Sequence, residues 1–190
     1  MTRWCLYSII ITIFFFSCHK SEPLEPPYGD RPVIAVTDRD YTSYLLSYFG
    51  ESENYIHIVM YLMKYYPYDS TNGVSQLQKA LISARERGLD IKVLLERSDY
   101  NSSLNAINES TYVYLDSQGI DVRFDQLSVT THAKLVIIDD KVAFVGSTNW
   151  SQSALEKNNE VNVEIKEEEV VKELESYFQH LWEVSRLKIK

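Results

Sequence analysis

Cysteine is almost missing from this chain. The only two in 190 residues, Cys5 and Cys18, fall within the first eighteen positions. No intramolecular disulfide and no cysteine-bearing zinc site can therefore form in the remainder. Positive charge is also short: 19 Lys and Arg stand against 27 Asp and Glu, a formal net charge of −8. That balance withholds the global basic signature of a nucleic-acid binder, although a local basic site inside an acidic protein survives it. A membrane-spanning apolar run is lacking as well. The uncharged stretch from Trp4 to Phe16 has thirteen residues. At about 1.5 Å each they reach roughly 20 Å, short of a ~30 Å hydrocarbon core. Proline is confined, with four of five in residues 19–32.

What is present divides the chain into three. Arg3, the apolar run and then Ser17-Cys18 fit a secretory signal peptide over residues 1–18. The small residue before Cys18 resembles a bacterial lipoprotein signal, in which Cys18 becomes the lipidated first residue. An uncleaved N-terminal anchor is the other reading. Either way the expected location is the cell envelope or periplasm, attached to a membrane. HKSEPLEPPYGDRP, residues 19–32, reads as a stiff, extended tether. Residues 33–190 are then one domain, with ample length for a core.

Within that domain strands and helices alternate. VIAVT, YIHIVMYLM, DIKVLLE, DVRFD, KLVIID, VAFVG and VNVEIK read as strands. YTSYLLSYFG reads as a helix ending at Gly50, and another runs from about Leu104 to Gln118 before Gly119. GVSQLQKALISARERG places Val74, Leu77, Leu81 and Ala84 on one helical face and stops at Gly88. The last helix carries Val170, Val171, Leu174, Tyr177, Phe178, Leu181 and Trp182 at helical spacing. The pattern predicts an α/β fold: a mixed β-sheet flanked by helices on both faces.

One stretch concentrates chemistry. THAKLVIIDDKVAFVGSTNW, residues 131–150, sets His132, Lys134, Ser147 and Asn149 around two short apolar runs. Asp139-Asp140-Lys141 between the runs predicts a tight hairpin. With a two-residue turn at Asp140-Lys141, Lys134 falls opposite Ser147 and His132 opposite Asn149, so all four share one face. A turn at Asp139-Asp140 keeps the same four together, whereas a three-residue loop exchanges Ser147 and Asn149 for Thr148. A neutral imidazole beside an ammonium, a hydroxyl and an amide suits phosphate. The cation and donors hold non-bridging oxygens as charge builds, and the imidazole attacks phosphorus or moves a proton. Lys134 should lower the His132 pKa and favour the unprotonated ring. Asp139 has the opposite strand parity and is expected to fix the turn or a neighbouring cation.

His132-x-Lys134-x4-Asp139 followed by Gly146-Ser147-x-Asn149 resembles the HKD signature of the phospholipase D superfamily. The resemblance extends from about Tyr55 to Trp182 and is strongest to small single-motif members of the bacterial endonuclease-like branch. It implies the phospholipase D/nuclease fold and a catalytic set of His132, Lys134, Asp139, Ser147, Asn149 and Glu160. Glu160, in an Asn159-Glu160 pair, is implied to hydrogen-bond and orient a catalytic imidazole. Family chemistry uses two histidines: one forms a phosphohistidine, the other protonates the leaving oxygen and activates water. The remaining histidines, His19, His57 and His180, have no Lys two residues on. The motif occurs once, so the resemblance implies a homodimer that shares one active site across a two-fold axis. It requires no metal or other cofactor, and the sequence offers no metal cluster.

Other features have plainer readings. His57 alternates with Tyr55, Val59 and Tyr61 as a packed strand histidine; His180 is a solvated helix residue. The tyrosines of YLMKYYPYD either line a groove that stacks bases or pack a loop. KEEEVVKELE is an exposed mixed-charge helix face, and Arg85, Arg87 and Arg97 are ordinary surface cations. Three functions fit the site. They are a phosphodiesterase acting on nucleic acid, a phospholipase beside its membrane, and a non-catalytic phosphate-binding module, the last disfavoured by the intact nucleophile.

Overall fold

Seven runs rich in Val, Ile and Leu pair into one sheet because only a shared ladder lets so many buried apolar residues satisfy their backbone groups. The computed structural model describes residues 31–185, so the leader and nearly all of the tether lie outside the described residues. The strands are β1 (Val33–Thr37), β2 (Tyr55–Met60), β3 (Asp90–Leu95), β4 (Asp121–Phe124), β5 (Lys134–Ile138), β6 (Val142–Gly146) and β7 (Val161–Ile165). The helices are α1 (Asp40–Glu51), α2 (Gly73–Glu86), α3 (Ser102–Ser117), α4 (Gln152–Glu156) and α5 (Glu168–Val184). Sheet order is β1-β7-β6-β5-β2-β3-β4. β2, β3 and β4 run parallel through helical crossovers, and the other pairings are antiparallel. The mixed α/β sandwich is as the alternation predicts.

Strand parity divides the core. Ile34, Phe144, Val136, Ile58, Val93 and Val122 face a layer that includes Leu45 of α1, Leu77 of α2, Leu115 of α3 and Leu155 of α4. Val59, Leu94, Leu135, Ile137 and Ala143 face the other way, against Val171, Phe178 and Trp182 of α5. A single helix cannot cover seven strands. On its side of the sheet Val33, Val145 and Val161 remain 50%, 36% and 55% exposed.

Two elements differ from the sequence reading. β2 stops at Met60, and Met63 makes only an isolated parallel bridge to Trp150. The short α4 is not foreshadowed by periodicity; it forms because Ser151 caps it, accepting from Ala154 N.

Register is the larger correction. Ile138 pairs with Val142, so Asp139, Asp140 and Lys141 form a three-residue connection and Lys134 stands between Met60 and the level of Gly146. Asp139 and Asp140 both take positive φ (55° and 53°), and Lys141 N donates to the Ile138 carbonyl at 2.9 Å. Asp139 is held by its other neighbour. Its carboxylate accepts from the backbone N–H groups of Glu53, Asn54 and Tyr55 at 2.7–2.8 Å. Ser147 and Asn149 therefore do not face Lys134 and His132 across a ladder.

Candidate active site

Antiparallel pairing brings four strand ends to one edge: the C-terminal ends of β2 and β6 and the N-terminal ends of β5 and β7. His132 lies just before β5 and is exposed at this rim, whereas Lys134, the first β5 residue, is 4% exposed. The Lys134 ammonium donates to the His132 carbonyl at 2.6 Å and lies 3.0 Å from Nδ1 and 3.3 Å from Nε2 of the same ring. Desolvation, and then the Lys134 charge, hold the His132 pKa below its ordinary value. Burial also lowers the Lys134 pKa, against the opposing pull of the Glu160 carboxylate. The pair is a neutral imidazole over a desolvated cation.

The segment carrying His132 is pinned from beneath. Thr131 N donates to Glu96 Oε2 at 2.7 Å, and its hydroxyl donates to Asp125 Oδ2. Glu96 and Asp125 directly follow β3 and β4 and are 1% and 2% exposed. Burial first, then the charges of Asp125 and Asp99, raise the Glu96 pKa, although its bond from Thr131 opposes them. Tyr61, directly after β2, donates its backbone N–H to the Ala133 carbonyl at 3.2 Å. Its ring centroid lies 4.4 Å from that of His132 and 5.0 Å from Lys134 Nζ.

Ser147 and Glu160 form the opposite wall. Ser147 Oγ donates to Glu160 Oε2 and accepts from Val161 N at 3.1 Å, while Asn158 Nδ2 donates to Glu160 Oε1 at 2.9 Å. Close strand contact makes this possible. A Cβ on Gly146 would stand 2.2 Å from Asn162 Oδ1 and 2.5 Å from the Val161 carbonyl, so only glycine fits. Thr148 turns inward, fully buried, and accepts from Asn162 Nδ2 at 2.8 Å. Asn149 Oδ1 is buried without a hydrogen-bond partner among the described residues, an unsatisfied acceptor that invites explanation.

The predicted residues thus separate. His132 and Lys134 are in direct contact, and Glu160 reaches Lys134 electrostatically while holding Ser147. Asp139 sits at the far end of β5, five residues and about 16 Å away at ~3.3 Å per residue. Its three backbone acceptances make it a structural anchor. Within one chain the Glu160 carboxylate accepts from Ser147 Oγ and Asn158 Nδ2. Tyr61, Glu96, Asp125 and Thr131 were not singled out for this role from sequence. Carboxylates directly after apolar strands were visible, but not that two of them converge on one threonine.

The plainer readings largely hold. His57 is 3% exposed, stacked between Tyr55 and Phe178, with Nδ1 2.9 Å from Glu175 and Nε2 3.4 Å from Asp90. Tyr65 stacks on Tyr114 at 4.0 Å, and Tyr66 accepts from Gln152 N. Arg85 and Arg87 donate to backbone carbonyls, and Arg97 pairs with Glu109 at 2.7 Å.

An α/β sheet that presents His-x-Lys at one strand end and Gly-Ser at the next defines a class of phosphodiester-processing proteins. The profile of the family described as "Cardiolipin synthase, PLD-like domain" matches residues 45–182. This chain belongs to that family, within the phospholipase D superfamily of phosphodiesterases, as a small single-motif member. It is 34% identical over 108 residues to mitochondrial cardiolipin hydrolase of Canis lupus familiaris, covering 57% of this chain and 41% of that protein. It is likewise 34% identical over 101 residues to phospholipase D of Rickettsia conorii, covering 53% and 46%. The chain thus spans about half the length of the curated relatives it matches. In fold it is similar to Nuc of Salmonella typhimurium, with a TM-score of 0.67, 21% identity, and 83% and 99% of the two chains covered. NucT of Helicobacter pylori superposes with a TM-score of 0.64 at 23% identity, covering 82% and 99%.

Proposed function

We propose that this protein hydrolyses a phosphodiester, without a metal ion, through a phosphohistidine on His132 in a homodimer, with nucleic acid as substrate. The observation that carries this is the contact of an exposed imidazole, kept neutral, with the buried Lys134 ammonium. An imidazole nitrogen attacks phosphorus and the bond to the leaving oxygen breaks, while Lys134 and the Ser147 side hold the non-bridging oxygens. The second copy's His132 enters the step protonated while the attacking ring is neutral; it gives that oxygen its proton and, now neutral itself, takes one from the water that opens the phosphohistidine. One chain supplies one such histidine, so the proton donor comes from a twin. The exposed apolar strand face at Val145 and Val161, flanking Ser147 and Glu160, supports a docking surface there. Removal from the cytosol with a lipid on Cys18 belongs to the same proposal.

The exposed rim at His132 favours a nucleic acid, whose extended phosphate backbone can lie along an open edge. Phospholipid is the second reading, favoured by the names of the curated relatives and by the expected anchor. Full-length protein in detergent, assayed with EDTA on single-stranded DNA, RNA, phosphatidylcholine and cardiolipin, separates them. Nuclease activity lost in His132→Ala, with an unchanged circular dichroism spectrum, is the expected result. Lipid turnover alone replaces the nucleic-acid reading, and near-native activity of His132→Ala overturns the mechanism.

A further inference from the structure

Both groups that meet phosphate in the foregoing reading rest against one aromatic ring, and that ring has no place in the reaction as stated. Tyr61 follows β2 at the point where the strand stops, and its backbone N–H is bonded to the Ala133 carbonyl, midway between His132 and Lys134. Its position relative to both is therefore set by main chain. The ring then lies 4.4 Å from the His132 ring at 53°, and its centroid 5.0 Å from Lys134 Nζ. An ammonium within about 6 Å of a ring centroid is attracted by the ring quadrupole, the more so when desolvated. Lys134 is nine-tenths or more buried.

We propose that Tyr61 is a positioning residue: its ring face keeps Lys134 cationic and fixes the stance of the His132 imidazole for attack. The inference rests on the phosphodiesterase reading and adds a determinant of its pH range. The groups facing the ammonium come from three directions. His132, on its own segment, offers its carbonyl and a neutral ring; Tyr61 offers a π face; Glu160, at the start of β7, offers negative charge. Burial alone pushes the ammonium toward its neutral form. Removing the ring removes a favourable contact of the cation and none of the neutral amine. Lys134 must then lose its proton at lower pH. The Tyr61 hydroxyl has no part in this, so phenylalanine should suffice where an aliphatic residue does not.

The test compares Tyr61→Phe and Tyr61→Leu with the wild type on bis(4-nitrophenyl) phosphate from pH 5 to 10, with thermal melts as a folding control. Tyr61→Phe should keep kcat/KM within about threefold and the same profile. Tyr61→Leu should lower kcat about tenfold and move the alkaline limb down by roughly half to one pH unit, the span that one cation–π contact represents. An unmoved alkaline limb in Tyr61→Leu overturns the inference, as does equal damage by both substitutions, which would implicate the hydroxyl. If wild-type protein does not turn over any phosphodiester, the functional reading fails instead. NMR titration of the Lys134 Nζ and His132 ring signals then decides on the ring alone. A lower Lys134 midpoint in Tyr61→Leu supports the brace, and an unchanged one overturns it.

Discussion

The Lys134 side chain makes the site more than a histidine on a rim. It has one cationic head group within reach of the His132 carbonyl and both ring nitrogens, in a position from which water is largely excluded. In the proposed mechanism an unprotonated imidazole is the nucleophile, so the acid limb of activity should follow the His132 pKa. Desolvation and the Lys134 charge both hold that pKa down, keeping the ring neutral to a lower pH than an ordinary histidine. Lys134→Met removes the second cause and keeps the buried volume. Its acid limb should therefore move to higher pH, and kcat should fall by about a hundredfold or more through lost stabilisation of the charged transition state. A pH–rate series on bis(4-nitrophenyl) phosphate reads both; a limb that stays or moves lower would uncouple the two side chains. The motif residues were legible here because chemical type and spacing alone mark them. Tyr61 was not, because a tyrosine ending an apolar strand has the same pattern whether it packs a loop or braces a nucleophile.

The β5–β6 hairpin shows how a motif residue can serve the element instead of the chemistry. Asp139 accepts three successive backbone N–H groups at the start of β2, tying the hairpin to the strand beside it. Hydrogen bonds to an ionised acceptor are the stronger kind, and the orphaned donors would lie partly buried. Asp139→Ala should therefore cost about 2–4 kcal/mol in urea unfolding, while kcat per folded molecule stays within about twofold. A large fall in kcat at unchanged stability would return Asp139 to the reaction. The same anchoring explains the register. Sequence allowed either a two- or a three-residue connection, and the choice lay with Asp139's contacts to residues 53–55, more than eighty positions earlier. No local pattern carries such a contact. The surrounding strands and amphipathic helices, by contrast, were readable because period-2 and period-3.6 burial is written in neighbouring residues.

At the level of assembly, a chain with one HKD histidine and an uncovered strand face beside it predicts a composite centre. Mixing wild-type protein with an excess of His132→Ala, with time for subunit exchange, should reduce the specific activity of the wild-type chains toward zero as mixed dimers form. Light scattering should report a dimer throughout. Activity that stays proportional to the wild-type chains, or an active monomer, would mean that each chain is catalytically self-sufficient.

From amino-acid order came the α/β architecture, the single His-x-Lys signature and the expectation of phosphate chemistry, because hydrophobic period and residue type are local properties that any observer of the chain can count. Three-dimensional packing alone settled the hairpin register, the burial that leaves Lys134 desolvated, the hydrogen bond of Ser147 to Glu160, and the ring of Tyr61 against both His132 and Lys134. These are contacts between segments remote in the chain, and their geometry follows from which strand ends share an edge.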